Sequence, residues 1–233
     1  MDLFCVGDSW ATKGFDESNH RVYTDFPFPG DYRFTDDIGL QVKHHVRGGA
    51  GNLRLLDYVN NKMDLDKNVP VLWVFTEPGR DIADVRHTDE HSWIGDENYF
   101  EYRQELGMDV LKKIRQGLGN EICLVGGLSD IPHDAGRLGF HVLEQSWQRM
   151  LSHISGDYNF QLGWGASDVG WRHKTQNIKP SKTVLTNCLH QLSIWNKWQN
   201  HGLMFGTHPT PLAHKRLAEK IKQPLAKWLE DIG

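Results

Sequence analysis

Three short, continuously apolar runs place the strongest constraint on how this chain folds. They cover residues 3–6, 69–75 and 122–125, are interrupted only by Pro70, and each ends at a turn rich in glycine or polar residues. Apolar runs of this length are typical of strands that are covered on both faces. A looser alternation over residues 38–46, which stops at a glycine cluster, predicts one more strand.

Helical patterns follow the predicted strands. Apolar residues recur three or four positions apart after residue 52, over residues 103–118 and 140–154, and in a C-terminal segment that starts near Ala213. Pro224 lies inside the last pattern, and we expect it to kink or interrupt that helix. A strand followed by a helix, four times over, predicts an α/β fold with an open, mainly parallel sheet and helices on both faces.

The length of 233 residues fits one large α/β domain with insertions or two small domains. Because strand and helix alternate along the whole chain, we favour a single domain over residues 1–233. The surplus length falls in two irregular segments, about 78–102 and 156–182, which are rich in Gly, Asp, His and aromatic residues. Ligands of such sheets bind beyond the carboxyl ends of the strands, so we expect both segments to border a cleft there.

The charge balance argues against two classes of partner. With 26 Lys and Arg against 30 Asp and Glu, the net charge is −4, and there is no long basic run. We therefore expect neither general nucleic-acid binding nor attraction to an anionic membrane. No apolar run approaches the ~18 residues of a membrane span, and the N-terminus lacks a basic stretch followed by an apolar signal core. A cytoplasmic protein is the expectation.

The cysteine and histidine spacings predict no metal site. Cys5, Cys123 and Cys188 are far apart, which is neither a disulfide framework nor a thiolate ligand set. His87 and His91 have the spacing of two metal ligands on a helix, but no third ligand accompanies them. We expect structural thiols and no metal ion or organic cofactor.

Chemistry is expected in three turns. Ser9 follows Gly7-Asp8 at the end of the first strand, where a turn presents its hydroxyl at the edge of the sheet. The glycine cluster of residues 48–52 allows a close approach of the backbone to a bound group. His208 stands in a loop bounded by glycine and proline, directly before the last helix. Each turn, taken alone, also has an ordinary structural interpretation.

Together and in this order, the turns resemble the sequence blocks of the SGNH (GDSL-type) hydrolase family. The likeness rests on residues 4–9 (FCVGDS), 47–52 (RGGAGN) and 208–218 (HPTPLAHKRLA), and it spans the chain from end to end. The resemblance implies a flavodoxin-like three-layer α/β/α sandwich. It also implies an esterase that forms an acyl-enzyme on a serine nucleophile.

Carried over to this chain, the family pattern makes Ser9 the nucleophile and His208 the general base. The oxyanion hole would receive the backbone N–H groups of Ser9 and Gly51, with Asn52 beside them. A side chain introduced at Gly51 is expected to intrude on the acyl site while leaving the fold largely intact.

One departure from the family concerns the oxyanion hole. The family has an Asn donor after a strand, whereas here the corresponding stretch, residues 76–81, reads TEPGRD and contains no Asn. An ionised Glu77 would repel a developing oxyanion, so it cannot simply replace the Asn. Thr76, Asn52 and Arg80 remain as alternative donors.

A second departure concerns the general base. The family has an Asp three residues before the histidine, and this chain has Phe205 there. His208 must then be oriented by a main-chain carbonyl, which we expect, or by a carboxylate from elsewhere. The candidate carboxylates are Glu77, Asp81 and Asp168.

The tryptophans bear on the substrate. Trp93, Trp164 and Trp171 lie in glycine-rich or polar contexts, so we expect them to line a cleft. Tryptophan side chains in a cleft suit the flat faces of sugar rings. A carbohydrate O-acyl ester, for instance an acetyl ester, is therefore expected ahead of a short-chain lipid ester. The alternative is a catalytically degenerate relative that binds a glycan or serves in assembly.

Overall fold

A parallel sheet forms the centre of the fold in the computed structural model. The structure describes residues 2–8, 10–11, 33–46, 50–63, 65–81, 99–127, 129–155, 196–205 and 208–233. Within these ranges the strands of the sheet are β1 (Asp2–Gly7), β2 (Gln41–Val46), β3 (Val71–Phe75), β4 (Ile122–Gly126) and β5 (His141–Glu144). They lie in the order β2-β1-β3-β4-β5, and every neighbouring pair is parallel. The predicted mainly parallel sheet is confirmed.

Helices cover both faces of this sheet. Among the described residues they are α1 (Asn52–Lys62), α2 (Tyr99–Gly117), α3 (Trp147–Ile154) and α4 (Pro211–Ile232). Phe4 and Val6 of β1 belong to the core cluster shared with α1 and α2. Leu3 and Cys5 belong to the cluster shared with α3 and α4, because successive side chains of a strand point to opposite faces. The three-layer α/β/α architecture is thus confirmed.

The pattern over residues 140–154 was predicted as one helix, and this is wrong for its first half. Residues 141–144 form β5, which pairs with β4, and the helix starts only at Trp147. The Ser146 hydroxyl caps that helix by accepting a hydrogen bond from the Arg149 backbone N–H at 3.2 Å. The apolar spacing across residues 140–146 coincides with a helical period but serves strand pairing.

Two further boundaries differ from expectation. Helix α2 begins at Tyr99, inside the segment predicted as irregular, and Pro78–Asp81 forms a short 3₁₀ helix. Helix α4 runs through Pro224 without the expected interruption. Pro224 lies on the exposed face, where the carbonyl left without its helical partner can reach water.

Contacts along α4 fix its direction relative to the sheet. His141, at the start of β5, stacks on Trp228, and Lys220 pairs with Glu144 at the end of β5. His214 then packs against Trp147, beyond that end, with ring centroids 4.9 Å apart. The helix therefore runs antiparallel to β5, and its N-terminus lies at the carboxyl edge of the sheet.

His214 anchors this N-terminus in the core. The side chain is fully buried, and its Nδ1 accepts a hydrogen bond from the Phe34 backbone N–H at 3.2 Å. Burial, with a smaller contribution from the nearby Arg33 charge, lowers the pKa of His214 from 6.5 to about 3. The folded protein thus holds this imidazole neutral.

His214 should make the protein less stable in acid. Below about pH 6.5 the unfolded chain binds a proton at this position that the folded chain excludes, so the free energy of unfolding falls as pH decreases. His214→Gln, which keeps an acceptor for Phe34, should remove up to about 1.4 kcal/mol per pH unit from that fall. Urea unfolding between pH 7 and pH 4 measures it. The exposed His201→Gln should keep the wild-type dependence, and equal slopes in all three proteins would contradict the assignment.

Candidate active site

The strand order predicts a crevice at the carboxyl ends of β1 and β3. The chain runs from β1 to β2 on one side and then crosses to β3 on the other side, so the order reverses between β1 and β3. Ligands of open α/β sheets bind at such a switch point. Asp8 follows β1 and Thr76 follows β3, so both lie at this crevice.

A tight turn follows β1 and spans position 9. The Asp8 carboxylate accepts a hydrogen bond from the Trp10 backbone N–H at 2.9 Å, and the Asp8 carbonyl accepts one from Ala11 at 3.0 Å. A Cβ on Gly7 would lie 2.5 Å from that of Ala11 and 2.9 Å from that of Val74, so only glycine fits. Both flanks of position 9 are held firmly, while Ser9 itself lies outside the described residues.

Two carboxylates, a hydroxyl and a guanidinium meet at this crevice. The Thr76 hydroxyl lies 2.9 Å from Asp8 Oδ2 and 3.2 Å from Glu77 Oε2. Arg80 contacts both acids: its Nε is 2.7 Å from Glu77 Oε2 and its Nη1 is 3.3 Å from Asp8 Oδ2. Asp8 is 1% exposed and Glu77 5%, whereas the Arg80 side chain is 27% exposed. We call these four residues the crevice cluster.

The two acids of the crevice cluster compete for the single proton of the Thr76 hydroxyl. A hydroxyl carries one proton, so Thr76 can donate fully to only one of its two acidic neighbours. Glu77 has the shorter, charge-assisted contact with Arg80 and is the better place for negative charge. Burial raises the pKa of the Asp8 carboxyl, an increase that the Arg80 charge opposes. Of the two acids, Asp8 is therefore the one whose protonated form the site favours.

Asp81 caps helix α1 from a distant part of the chain. Its carboxylate accepts hydrogen bonds from the backbone N–H groups of Asn52, at 3.0 Å, and Leu53, at 2.9 Å. It also accepts one from the Asn52 side chain at 2.9 Å. Unpaired N–H groups at a helix N-terminus favour such an anion, so this acid, a candidate for orienting His208, has a structural partner in α1.

Asn52 was expected beside the oxyanion hole, but the structure occupies its side chain elsewhere. Its amide N–H groups donate to the Thr76 carbonyl, at 3.2 Å, and to Asp81. Its carbonyl oxygen accepts from the Trp73 indole and from the Thr76 backbone N–H, each at 3.1 Å. Asn52 thus ties α1 to the end of β3, and we do not retain it as a donor to an oxyanion.

Gly51, a predicted oxyanion-hole donor, lies directly before α1. Its backbone φ of −76° is ordinary, so the glycine is required for space and not for conformation. A Cβ here would collide with the Asp81 carboxylate and lie 3.3 Å from Arg80 Cβ. A side chain at Gly51 would therefore displace the Asp81 carboxylate that caps α1, so we expect Gly51→Val to lower stability as well as activity.

His208 reaches the same edge of the sheet through α4. It is half-buried in β7 (His208–Pro209), which pairs antiparallel with β6 (Met204–Phe205) and directly precedes α4. The backbone pairs His208 with Phe205, the position at which the family pattern has Asp. Trp147 packs against both His214 and Trp10, the latter with ring centroids 6.0 Å apart. The start of α4 is thereby joined to the turn after β1.

Other predicted site residues lie outside the described ranges. These are Trp93, Trp164, Asp168 and Trp171, together with all of the segment 156–182. Their predicted roles remain predictions. Within the described residues, no group of three or more His, Cys, Asp or Glu side chains could hold a metal ion. No helix in the described ranges is long and apolar enough to span a membrane.

Sequence reasoning missed the roles of Asp8 and Asp81. Asp8 appeared only as part of a Gly-Asp-Ser turn, although an acid placed directly after a fully apolar strand signals a buried, hydrogen-bonded carboxyl group. Asp81 caps a helix that begins 29 residues earlier, and capping motifs read from sequence are local. No sequence signal could have revealed that contact.

Comparison with known proteins finds similarity among solved structures. A lipase from a goat rumen metagenome is 11% identical (TM-score 0.44), and the match covers 96% of each chain. A member of the lipolytic G-D-S-L family from Veillonella parvula is 14% identical (TM-score 0.40), over 97% of this chain and 98% of that chain. A mutant of an acetyl-xylooligosaccharide esterase from Geobacillus is 12% identical (TM-score 0.37), over 100% and 94%. No protein-family model and no curated protein matches the sequence.

The raised pKa of Asp8 predicts how stability depends on pH. From about pH 4 upward the unfolded chain releases the Asp8 proton more readily than the folded chain does, so the folded state loses relative stability as pH rises toward the raised pKa. Asp8→Asn cannot ionise and should gain stability relative to wild type as pH rises from 4 to 8. Urea unfolding across that range checks the trend, with the exposed Asp231→Asn as the control. A variant that is equally destabilised at every pH would show that Asp8 is ionised.

Proposed function

We propose that this protein is an ester hydrolase of the SGNH type, with Ser9 as nucleophile and His208 as general base. One observation carries the proposal: the turn after β1, the start of α1 at Gly51, the end of β3 and the start of α4 all lie at one edge of the sheet. The sequence blocks that resemble the family, far apart along the chain, fall in or next to these elements. An acyl-transfer site needs such convergence.

The proposed reaction proceeds in two steps. Ser9 Oγ attacks the acyl carbonyl carbon while His208 takes the hydroxyl proton, and the carbonyl π electrons move onto oxygen. The resulting tetrahedral oxyanion collapses, the bond to the alkoxide breaks, and His208 returns its proton to the leaving group. Water, activated by His208, then cleaves the acyl-enzyme. No oxidation or reduction takes place, and the proposal includes no cofactor.

The substrate proposed within this class is a carbohydrate O-acyl ester. Trp93, Trp164 and Trp171 support it, because flat indole faces bind the apolar faces of sugar rings. An acetylated oligosaccharide should then have a higher kcat/KM than an acetyl ester of a small alcohol. Replacing the three tryptophans one at a time by Leu should reduce that preference in at least one variant. Equal preference in all of them would exclude the tryptophans from substrate binding.

Labelling of Ser9 tests the proposed nucleophile. A fluorophosphonate reacts with an activated serine, so the wild-type protein should be labelled and Ser9→Ala should not. Ester turnover should fall in the same variant by at least about 1,000-fold, as expected when a catalytic nucleophile is removed. Intact-mass spectrometry gives the extent of labelling and peptide mapping gives the site.

A second serine supplies the matched control for that test. Ser146 also follows a strand of the sheet, but its hydroxyl caps α3 and lies 2.5 Å from Asp130. Ser146→Ala should keep full labelling at Ser9. A folded wild-type chain with no Ser9-dependent labelling would overturn the hydrolase proposal and leave the degenerate, glycan-binding alternative.

A further inference from the structure

Arg80 lies where the proposed oxyanion hole lacks its third donor. The three candidates for this donor in the sequence are Thr76, Asn52 and Arg80. The amide N–H groups of Asn52 donate to the Thr76 carbonyl and to Asp81, and the Thr76 hydroxyl lies between two acids. Neither has a proton to spare for a substrate, which leaves Arg80.

The Arg80 guanidinium retains donors after its contacts with the protein are counted. A guanidinium has five N–H groups in one plane. Nε contacts Glu77 and Nη1 contacts Asp8, and no described residue contacts Nη2. Both N–H groups of Nη2 and one of Nη1 are therefore available. The Arg80 side chain as a whole is 27% exposed, unlike the two buried acids that it contacts.

The position of Arg80 joins it to the other two donors. Its Cβ lies 3.3 Å from where a Cβ on Gly51 would be, so its side chain starts beside the glycine. Its Nη1 contacts Asp8, the residue directly before Ser9. The Arg80 side chain thus runs from beside Gly51 to Asp8.

We propose that Arg80 donates to the tetrahedral oxyanion in place of the asparagine of the family pattern. This inference rests on the proposed function. As Ser9 Oγ bonds to the acyl carbon, the electron pair of the carbonyl moves to oxygen, which then accepts hydrogen bonds from Arg80, Gly51 and Ser9. When the oxyanion collapses, that pair returns and the alkoxide departs. Arg80 donates hydrogen bonds throughout and loses no proton.

The neighbouring acids support this assignment. Two contacts to a rigid, planar guanidinium fix its orientation before substrate binds, and preorganised donors are the ones that stabilise a transition state. Glu77 and Arg80 form an ion pair with no net charge, so the Glu77 carboxylate is already balanced when an oxyanion forms. Glu77 cannot itself donate to an oxyanion, because its negative charge would repel it. Its role here is to position Arg80.

The test compares Arg80→Gln with wild type on p-nitrophenyl acetate. Loss of one oxyanion donor should lower kcat by about 100-fold or more, with KM nearly unchanged, because the donor acts only after attack. Adding methylguanidinium to the variant should restore part of the lost kcat, because it supplies the missing N–H donors. A variant that had lost activity only through a structural defect would not be rescued in this way. Arg149→Gln, which removes an arginine paired with the buried Asp130, should keep the wild-type kcat.

Each outcome of this comparison decides a separate question. Wild-type kcat in folded Arg80→Gln would overturn the assignment of Arg80 while the hydrolase proposal stands. If Arg80→Gln does not fold, Arg80→Lys keeps the charge but not the planar fork, and it should still lose at least about 10-fold in kcat; full activity there would equally overturn the assignment. If wild type shows no turnover that depends on Ser9, the proposed function fails, and the role of Arg80 fails with it.

Discussion

The hydrogen bond between Asp8 and Thr76 joins the carboxyl ends of β1 and β3, and the candidate site depends on this link. Asp8 also accepts from the Trp10 backbone N–H, so one buried side chain sets both the turn around position 9 and its distance from β3. Arg80 is oriented through the same carboxyl group. Without this link the proposed nucleophile and the proposed oxyanion donor would have no common support.

Burial of two acids beside one guanidinium is costly unless the charges balance. Removing an ion from water costs several kcal/mol, and attraction to a partner offsets that cost only with good geometry and further hydrogen bonds. Here Glu77 takes the short contact with Arg80, and burial raises the pKa of the Asp8 carboxyl, which favours its neutral form. Asp81, close by, is balanced in another way, by the N–H groups at the start of α1. Among the described residues, the crevice contains three buried acids and the partly exposed guanidinium of Arg80.

Sequence reasoning succeeded where local pattern and tertiary environment agree. The continuous apolar run of β3 reads as a buried strand because it is buried on both faces, and the glycine cluster before α1 reads as a turn. It failed over residues 140–146, where apolar spacing fits a helix but pairing with β4 makes a strand. Local spacing cannot show which neighbour a segment will pair with.

The sequence predicts the turns of the candidate site but not the contacts that connect them. The turn after β1 and the strand that carries His208 lie at one edge of the sheet, and the roles of Ser9 and His208 stay predictions. The contacts of Arg80 join residues 72 positions apart, a separation that no sequence window spans. Asn52 shows the opposite case. It lies in the glycine-rich block that resembles the family, yet its side chain has a structural role through its bonds to Thr76 and Asp81.

The most direct test of this account is a crystal structure of the protein with a phosphonate bound covalently to Ser9. The phosphonyl oxygen occupies the place of the oxyanion. We expect that oxygen to lie about 2.7–3.1 Å from the backbone nitrogen of Gly51 and from a terminal nitrogen of Arg80, with Glu77 still paired to Nε. An adduct whose phosphonyl oxygen points to solvent, with Arg80 turned away from it, would contradict the account.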